Sequence, residues 1–426
     1  MSSQVRLTLI AFLSYMIMSG LLTQAGVILN AIAAQLDMSA ARTVSIFSWL
    51  TGGALIGTLL SMYLYTRFSV RRLLITTYSV LLLLGLALPF LTGAGYSTLA
   101  AVFLGLGVCC GCGLSGGAVI ISRIYRAQRR ASAFIATDCA FSAAGFIFPT
   151  LAGWLLVKEL DWTLSYLAVA SLAIVILLLA ATTAFPDPHQ AASTATTAFP
   201  DPHQAASTAG NDEPAPERET ALMQFKRILT PRVMCFAIGV CLYLIAQTTF
   251  LTWAPNYLMA YFDAQPEVAG QVVGNYWGFS IFGLLTSVVL VNFIPTRIML
   301  LVVSGIAIAC TTAFLLIESV ETFLTLGLAF GLLTTCIYKI AISVGTQQIA
   351  DSPPMLVTLM LFSGSIGSTL APVVSGLVVD GSDEKGALML ALAGFVTMLV
   401  LFISAMLLER LAKRQTLPDP TQPESV

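Results

Sequence analysis

Apolar residues in this chain come in long unbroken runs, separated by short turns that carry charges, prolines or glycines. A hydrocarbon core of about 30 Å is crossed by about 20 residues of helix. Twelve runs reach that length, at 7–30, 43–66, 73–94, 97–121, 131–155, 162–184, 232–258, 268–292, 298–317, 322–346, 355–379 and 386–408. The first is too long for a cleavable signal peptide and lacks a small-residue cleavage pattern, so it counts as the first span. The pattern predicts an all-α integral membrane protein with twelve transmembrane helices.

Composition points the same way. Of 426 residues, 57% are hydrophobic and 10% charged, and mean hydropathy is +0.89, which leaves too few charges to cover a water-soluble domain. A formal net charge of −1 gives no reason to expect nucleic acid as a partner. The 8 cysteines fall in apolar segments and imply no disulfide framework.

Basic residues set the expected orientation, because Lys and Arg are retained on the cytoplasmic side. Arg67, Arg71 and Arg72, then Arg123, Arg126, Arg129 and Arg130, and later Arg410, Lys413 and Arg414 all fall in segments on the side of the N-terminus. The opposite side holds only Arg42, Lys158 and Lys385. Both termini are therefore expected in the cytoplasm, and the compact loops suit a bacterial inner membrane.

One sizeable hydrophilic stretch, 186–230, parts six runs from six. The expected organisation is a six-helix bundle at 1–184, a cytoplasmic linker at 185–231, a second bundle at 232–410 and a cytoplasmic tail at 411–426. Within the linker, 182–195 (TTAFPDPHQAASTA) recurs unchanged as 196–209. An adjacent perfect copy is most simply a slippage duplication, and its Ala, Thr and Pro content predicts no packed core. A weaker repeat links the halves: Phe141, Ser142, Gly145, Pro149 and Gly153 in the fifth span match Phe362, Ser363, Gly367, Pro372 and Gly376 in the eleventh. Such half-to-half repetition is expected where a substrate path runs between two bundles that rock against each other, although small residues and prolines are also common in packed membrane helices.

The chain resembles the major facilitator superfamily, and within it the TsgA-like branch near the fucose-permease group. The residues that carry the likeness are Leu7-Thr8 with Phe12-Leu13-Ser14-Tyr15, Thr137-Asp138 with Phe141-Ser142-Ala144-Gly145-Ile147-Phe148-Pro149, Trp253-Ala254-Pro255, and Gly345-Thr346-Gln347-Gln348. The resemblance implies a two-bundle alternating-access carrier for a small molecule, usually driven by protons, acting as a monomer in the lipid bilayer without a cofactor. It implies no particular substrate. The superfamily's loop between the second and third spans, Gly-x-x-x-Asp-Arg-x-Gly-Arg-Arg, is here residues 62–72, ending Thr66-Arg67-Phe68-Ser69-Val70-Arg71-Arg72 without the acidic residue. Conformational locking through that loop does not carry over.

Ionisable residues inside a bilayer are costly and mark function. Asp138 in the fifth span and Lys339 in the tenth stand out, at similar depths. Three readings stay open: an ion pair between the halves that forms in the outward-facing state and breaks as the cytoplasmic gate opens; Lys339 as an anion site with Asp138 as proton carrier; or a snorkelling lysine beside a locally hydrogen-bonded aspartate. In the resembled fold the first, fourth, seventh and tenth spans line the cavity, which makes Gln24, Gln247 and Tyr338 preferred substrate contacts. Asn275 joins them as a polar residue within a span. Interhelical hydrogen bonding is the alternative for each.

Two further patterns are weak. Cys109 and Cys112 share a helix face, but a closed metal site needs two more ligands, and the flanking Gly107, Gly111, Gly113, Gly116 and Gly117 suit close helix packing; no metal is expected. Gly113-Leu114-Ser115-Gly116 matches a rhomboid-type nucleophile string, but both histidines, His189 and His203, lie in the linker, so an intramembrane serine hydrolase is a remote alternative. The expected function is secondary transport, not enzyme chemistry. Its cargo is expected to be a small polar metabolite, anionic if Lys339 faces it, with a drug or siderophore-type efflux antiporter as the alternative.

Overall fold

The computed structural model describes residues 2–125, 127–185, 229–349 and 354–415. The duplicated linker and the distal tail lie outside the described residues. The first half comprises α1 (Ser3–Thr23), α2 (Ala25–Leu36), α3 (Ala40–Thr43), α4 (Ile46–Arg67), α5 (Val70–Ala87), α6 (Tyr96–Ile124), α7 (Ala127–Val157) and α8 (Thr163–Thr182). The second comprises α9 (Pro231–Phe262), α10 (Pro266–Leu290), α11 (Thr296–Leu316), α12 (Val320–Thr334), α13 (Ile337–Thr346), α14 (Pro354–Gly381) and α15 (Glu384–Gln415). There is no strand among the described residues. Twelve of the helical stretches are long and apolar enough to cross a membrane.

Two of the twelve predicted runs are broken helices. The first is α1 and α2 joined at Gln24, and the tenth is α12 and α13 joined at Thr335 and Cys336. Threonine hydroxyls border both breaks: Thr23 Oγ1 donates to Ser19 O at 2.8 Å, and Thr334 and Thr335 donate to Phe330 O and Gly331 O, a bond also made within unbroken helices such as α4 and α6. A hydroxyl that bonds the carbonyl four residues back competes with the helix ladder and weakens it, without alone breaking it. Some helix starts carry a side-chain cap, as where Ser69 accepts from Arg72 N and Ser319 from Thr322 N.

The two halves repeat each other in packing as well as in sequence. In the first half α4 and α6 touch backbone to backbone: a Cβ on Gly107 would overlap Leu50 O, and one on Gly57 would overlap Val108 O. The corresponding crossing of the second half, α10 with α12, does the same, with Gly331 against Tyr276 O and Gly283 against Leu332 O. The first span ends on Asp37 (φ 52°) and the seventh on Asp263 (φ 50°), each in the left-handed conformation that terminates a helix. Large apolar side chains face outwards without protein cover, among them Phe90, Phe293, Leu316 and Leu377, which are at least 70% exposed. Such a surface needs lipid rather than water.

The end that carries Arg6, Arg67, Arg71 and Arg410 is here called the basic end. Arg71 spans two helices there, donating to Ala180 O at 2.9 Å and Ala181 O at 2.6 Å, so it covers the carbonyls left open at the end of α8. That tie lies within the first half. At the opposite end the halves are sealed together along three seams. Asn256 of α9 donates to Gly26 O of α2 at 2.9 Å, where a Cβ on Gly26 would overlap Thr252 O. Gly153 of α7 abuts Pro266 O of α10, while Gly270 abuts Pro149 O. Gly376 of α14 abuts Ala41 O of α3. The repeated Pro-x-x-x-Gly of the fifth and eleventh spans thus places its glycine at equivalent seams between the halves.

Candidate functional site

Between the sealed end and the basic end lies a cavity of about 560 Å³ on the boundary of the two halves. Its walls come from the first, second, fourth and fifth spans and their counterparts, the seventh, eighth, tenth and eleventh. The family resemblance implies four of these eight, the first, fourth, seventh and tenth; the other four are the neighbours that a boundary between two bundles brings in. The broken helices both open onto it, at Thr23 and Thr335.

Asp138 projects into the cavity from α7 and Lys339 from α13, and Lys339 Nζ lies 3.1 Å from Asp138 Oδ2. Their side chains are 27% and 57% exposed, so the pair is open to the cavity rather than sunk in the core. The sequence-based expectation ties this pair to a state sealed at the cytoplasmic side. Here it is made with the end opposite the basic end sealed, and both residues line the cavity.

Around the pair, aromatic rings form two clusters. Phe141, one turn beyond Asp138, meets Trp277 edge to face with ring centroids 5.2 Å apart, and a Cβ on Gly145 would strike the indole. Tyr338 stacks on Tyr243 at 6.4 Å and 17°, and Lys339 Nζ sits 6.0 Å from the Tyr338 ring centroid. Tyr15 completes the wall on the first span.

Of the candidate contacts, Gln247 and Tyr338 line the cavity. Gln247 is almost fully buried and donates through Nε2 to the Tyr276 hydroxyl. Gln24 does not line it. Its side chain is wholly buried in the break between α1 and α2, where Oε1 and Nε2 find no partner among the described residues. Asn275 turns away as well, its Nδ2 donating to Leu324 O of α12 at 3.3 Å, which is the interhelical bond weighed as its alternative. Sequence reasoning singled out neither Tyr15 nor Tyr243 for the site, because an aromatic residue in an apolar run reads equally well as packing.

Ser115 lines the cavity too, yet its hydroxyl is donated to Gly111 O at 3.0 Å. Cys112 Sγ donates to Gly57 O at 3.3 Å, and Gly107 and Gly111 lie against α4, so this stretch serves helix packing. No three His, Cys, Asp or Glu side chains are placed to hold a metal ion among the described residues.

Comparison with known proteins agrees with this architecture. The model of the Major Facilitator Superfamily matches residues 7–354. The Protein TsgA homolog of Yersinia enterocolitica is 26% identical over 401 residues, 94% of this chain and 95% of the relative. That of Citrobacter koseri is 27% identical over 390 residues, 92% of each. Among solved structures, the nucleoside transporter NupG superposes with a TM-score of 0.71 at 14% identity, covering 96% of this chain and 99% of that one. A D-xylose-proton symporter gives 0.69, also at 14% identity, covering 93% and 97%. At such identities the structures speak for the fold alone. With twelve spans in two six-helix bundles, a cavity on their boundary and relatives matched over more than nine-tenths of their length, the chain belongs to the Major Facilitator Superfamily and is a multi-pass membrane transporter rather than an enzyme.

Proposed function

We propose that this protein moves a small polar, anionic metabolite across a bacterial inner membrane by alternating access, with a proton as the coupling ion. The observation that carries the proposal is the Asp138–Lys339 pair, one partner from each half, in the wall of the cavity.

The chemistry follows from electroneutrality in a cavity whose walls are mostly apolar. Two opposite charges that compensate each other can stay in the cavity; either alone is costly there. Protonation of Asp138 releases Lys339, and an anion can then take the place of the carboxylate. The proton and the anion enter together, the site remains neutral, and the halves can rock about it. On the other side the anion leaves, Asp138 loses its proton, and the pair closes again. Run inwards this is symport. The basic end is assigned to the cytoplasm by its arginines, with both termini there, and a single chain contains the complete site.

The test is untargeted mass spectrometry of cytosol and medium from cells with the protein, without it, and with Asp138→Asn. A metabolite that accumulates inside and is depleted outside only when the protein is present identifies an uptake carrier. The reverse pattern identifies an exporter. Metabolite profiles that do not change with the protein refute transport of a cellular metabolite, and a profile unchanged by Asp138→Asn refutes the coupling role.

A further inference from the structure

Resting on that transport reading, the cavity walls narrow the cargo. Asp138 and Lys339 are the acidic and basic side chains in its lining among the described residues. Lys339 can therefore compensate one negative charge, and only when Asp138 has taken up a proton. A dianion would keep one charge uncompensated beside apolar walls.

About half of the cavity's hydroxyls are committed elsewhere. Thr23, Thr51, Ser115, Thr335 and Ser368 donate to carbonyls of their own helices, and Gln247 donates to Tyr276. A polyol needs a partner for each hydroxyl it takes out of water, and each one left unmade costs about 1–3 kcal/mol. These walls keep Thr248, Thr252, Tyr338 and Trp277 Nε1 for that purpose, a handful of groups in walls drawn from eight spans. What they offer in quantity is ring faces and aliphatic side chains, with the Phe141–Trp277 cluster one turn beyond Asp138 and the Tyr243–Tyr338 stack next to Lys339. An acidic group at Lys339 would leave the rest of its molecule beside these clusters, and the cavity of about 560 Å³ lies in the range of ordinary small-molecule sites.

We infer that the cargo is an amphipathic monoanion: one carboxylate or similar acidic group on a compact apolar body the size of an aromatic ring or two, bound together with one proton. The ionisable groups that face Asp138 are Tyr15 from α1 and Tyr338 and Lys339 from α13, with Cys139 beside it on α7. The face of α10 contributes Trp277 and Ser280, neither of which titrates. Lys339 is thus the fixed charge against which the proton on Asp138 is exchanged.

The experiment uses the full chain purified in detergent, with tryptophan fluorescence and thermal melting as readouts and five probes: 3-phenylpropionate, its neutral amide, 3-phenylpropylamine, succinate and D-xylose. The expected result is binding of 3-phenylpropionate at least about tenfold tighter than of any other probe. Its affinity should fall by about tenfold for each unit of rising pH, since one proton is bound with each anion. Asp138→Asn should bind it without that pH dependence, and Lys339→Gln should lose binding while melting and eluting as a folded protein. Equal binding of the amide or of D-xylose, pH-independent binding by the unmodified chain, retained affinity in Lys339→Gln, or no binding of 3-phenylpropionate would each overturn the inference. The two proposals fail separately. A polyol or a cation found by the metabolite comparison overturns this assignment and leaves transport standing, whereas profiles unchanged by the protein remove transport itself.

Discussion

Lys339 Nζ of the second half lies 3.1 Å from Asp138 Oδ2 of the first, so the contact joins two bodies that alternating access must move relative to each other. Reversing the charges tests the contact. Asp138→Lys and Lys339→Asp are each expected to cut gradient-driven accumulation by about 10–100-fold, because each leaves two like charges facing one another. The double variant Asp138→Lys with Lys339→Asp should recover a measurable part of it. A double variant no better than the single ones would count against direct pairing.

The seams at the end opposite the basic end predict a way to bias the conformation. Gly26, Gly153 and Gly376 each face a backbone carbonyl of the other half at a distance that leaves no room for a Cβ. Gly26→Ala and Gly376→Ala should therefore disfavour this sealed arrangement while leaving contacts within each half intact. Spin labels at Asp37 and Asp263, the left-handed residues that close the first and seventh spans at that end, report the change. The distance distribution should shift to longer values in both variants; an unshifted distribution would show that the seam yields without opening.

How much of this was legible in sequence depends on the range of each signal. A twenty-residue apolar run is a long signal, and all twelve spans stand where the runs do. The breaks at Gln24 and at Thr335–Cys336 were not legible, because neither a proline nor a charge interrupts the apolar run at either place. Misplacement of Gln24 follows from the same limit. A continuous helix fixes the face of every residue by its 100° step, and a break resets that phase. Asp138 and Lys339 were legible since charge in a span is rare, whereas Tyr15 and Tyr243 were hidden among the many aromatics that simply pack.

Arg71 offers a test of stability rather than transport. Its guanidinium holds two carbonyls at the end of α8, and it stands in the loop whose usual acidic residue is missing. Arg71→Gln should lower stability by about 1 kcal/mol, the ordinary worth of hydrogen bonds at an exposed helix end. Thermal melting of the purified protein checks this, and since both bonds stay within the first half, transport by the folded fraction should be unaffected.

Asp383, in the turn between α14 and α15, predicts a pH effect outside the membrane. The hydrogen bond from the Tyr261 hydroxyl, then the one from Gly386 N at 2.9 Å, hold its carboxyl below the ordinary carboxylate value. A lowered carboxyl favours the folded state above its unfolded value, about pH 4, and that contribution fades as pH falls through the lowered value. Tyr261→Phe should therefore melt slightly earlier at neutral pH and lose its deficit under strong acid. The effect is small because Asp383 is exposed to solvent. A deficit that grows towards acid pH would reverse the assigned sign.

The central claim, that Asp138 couples a proton to the cargo, is tested most directly in proteoliposomes with the metabolite that the cellular comparison identifies. Accumulation driven by a pH gradient is measured beside exchange of labelled for unlabelled cargo, in the unmodified protein and in Asp138→Asn. The account predicts that Asp138→Asn keeps exchange and loses accumulation, since cargo can still cross but no longer with a proton. Accumulation by Asp138→Asn equal to that of the unmodified protein would contradict it.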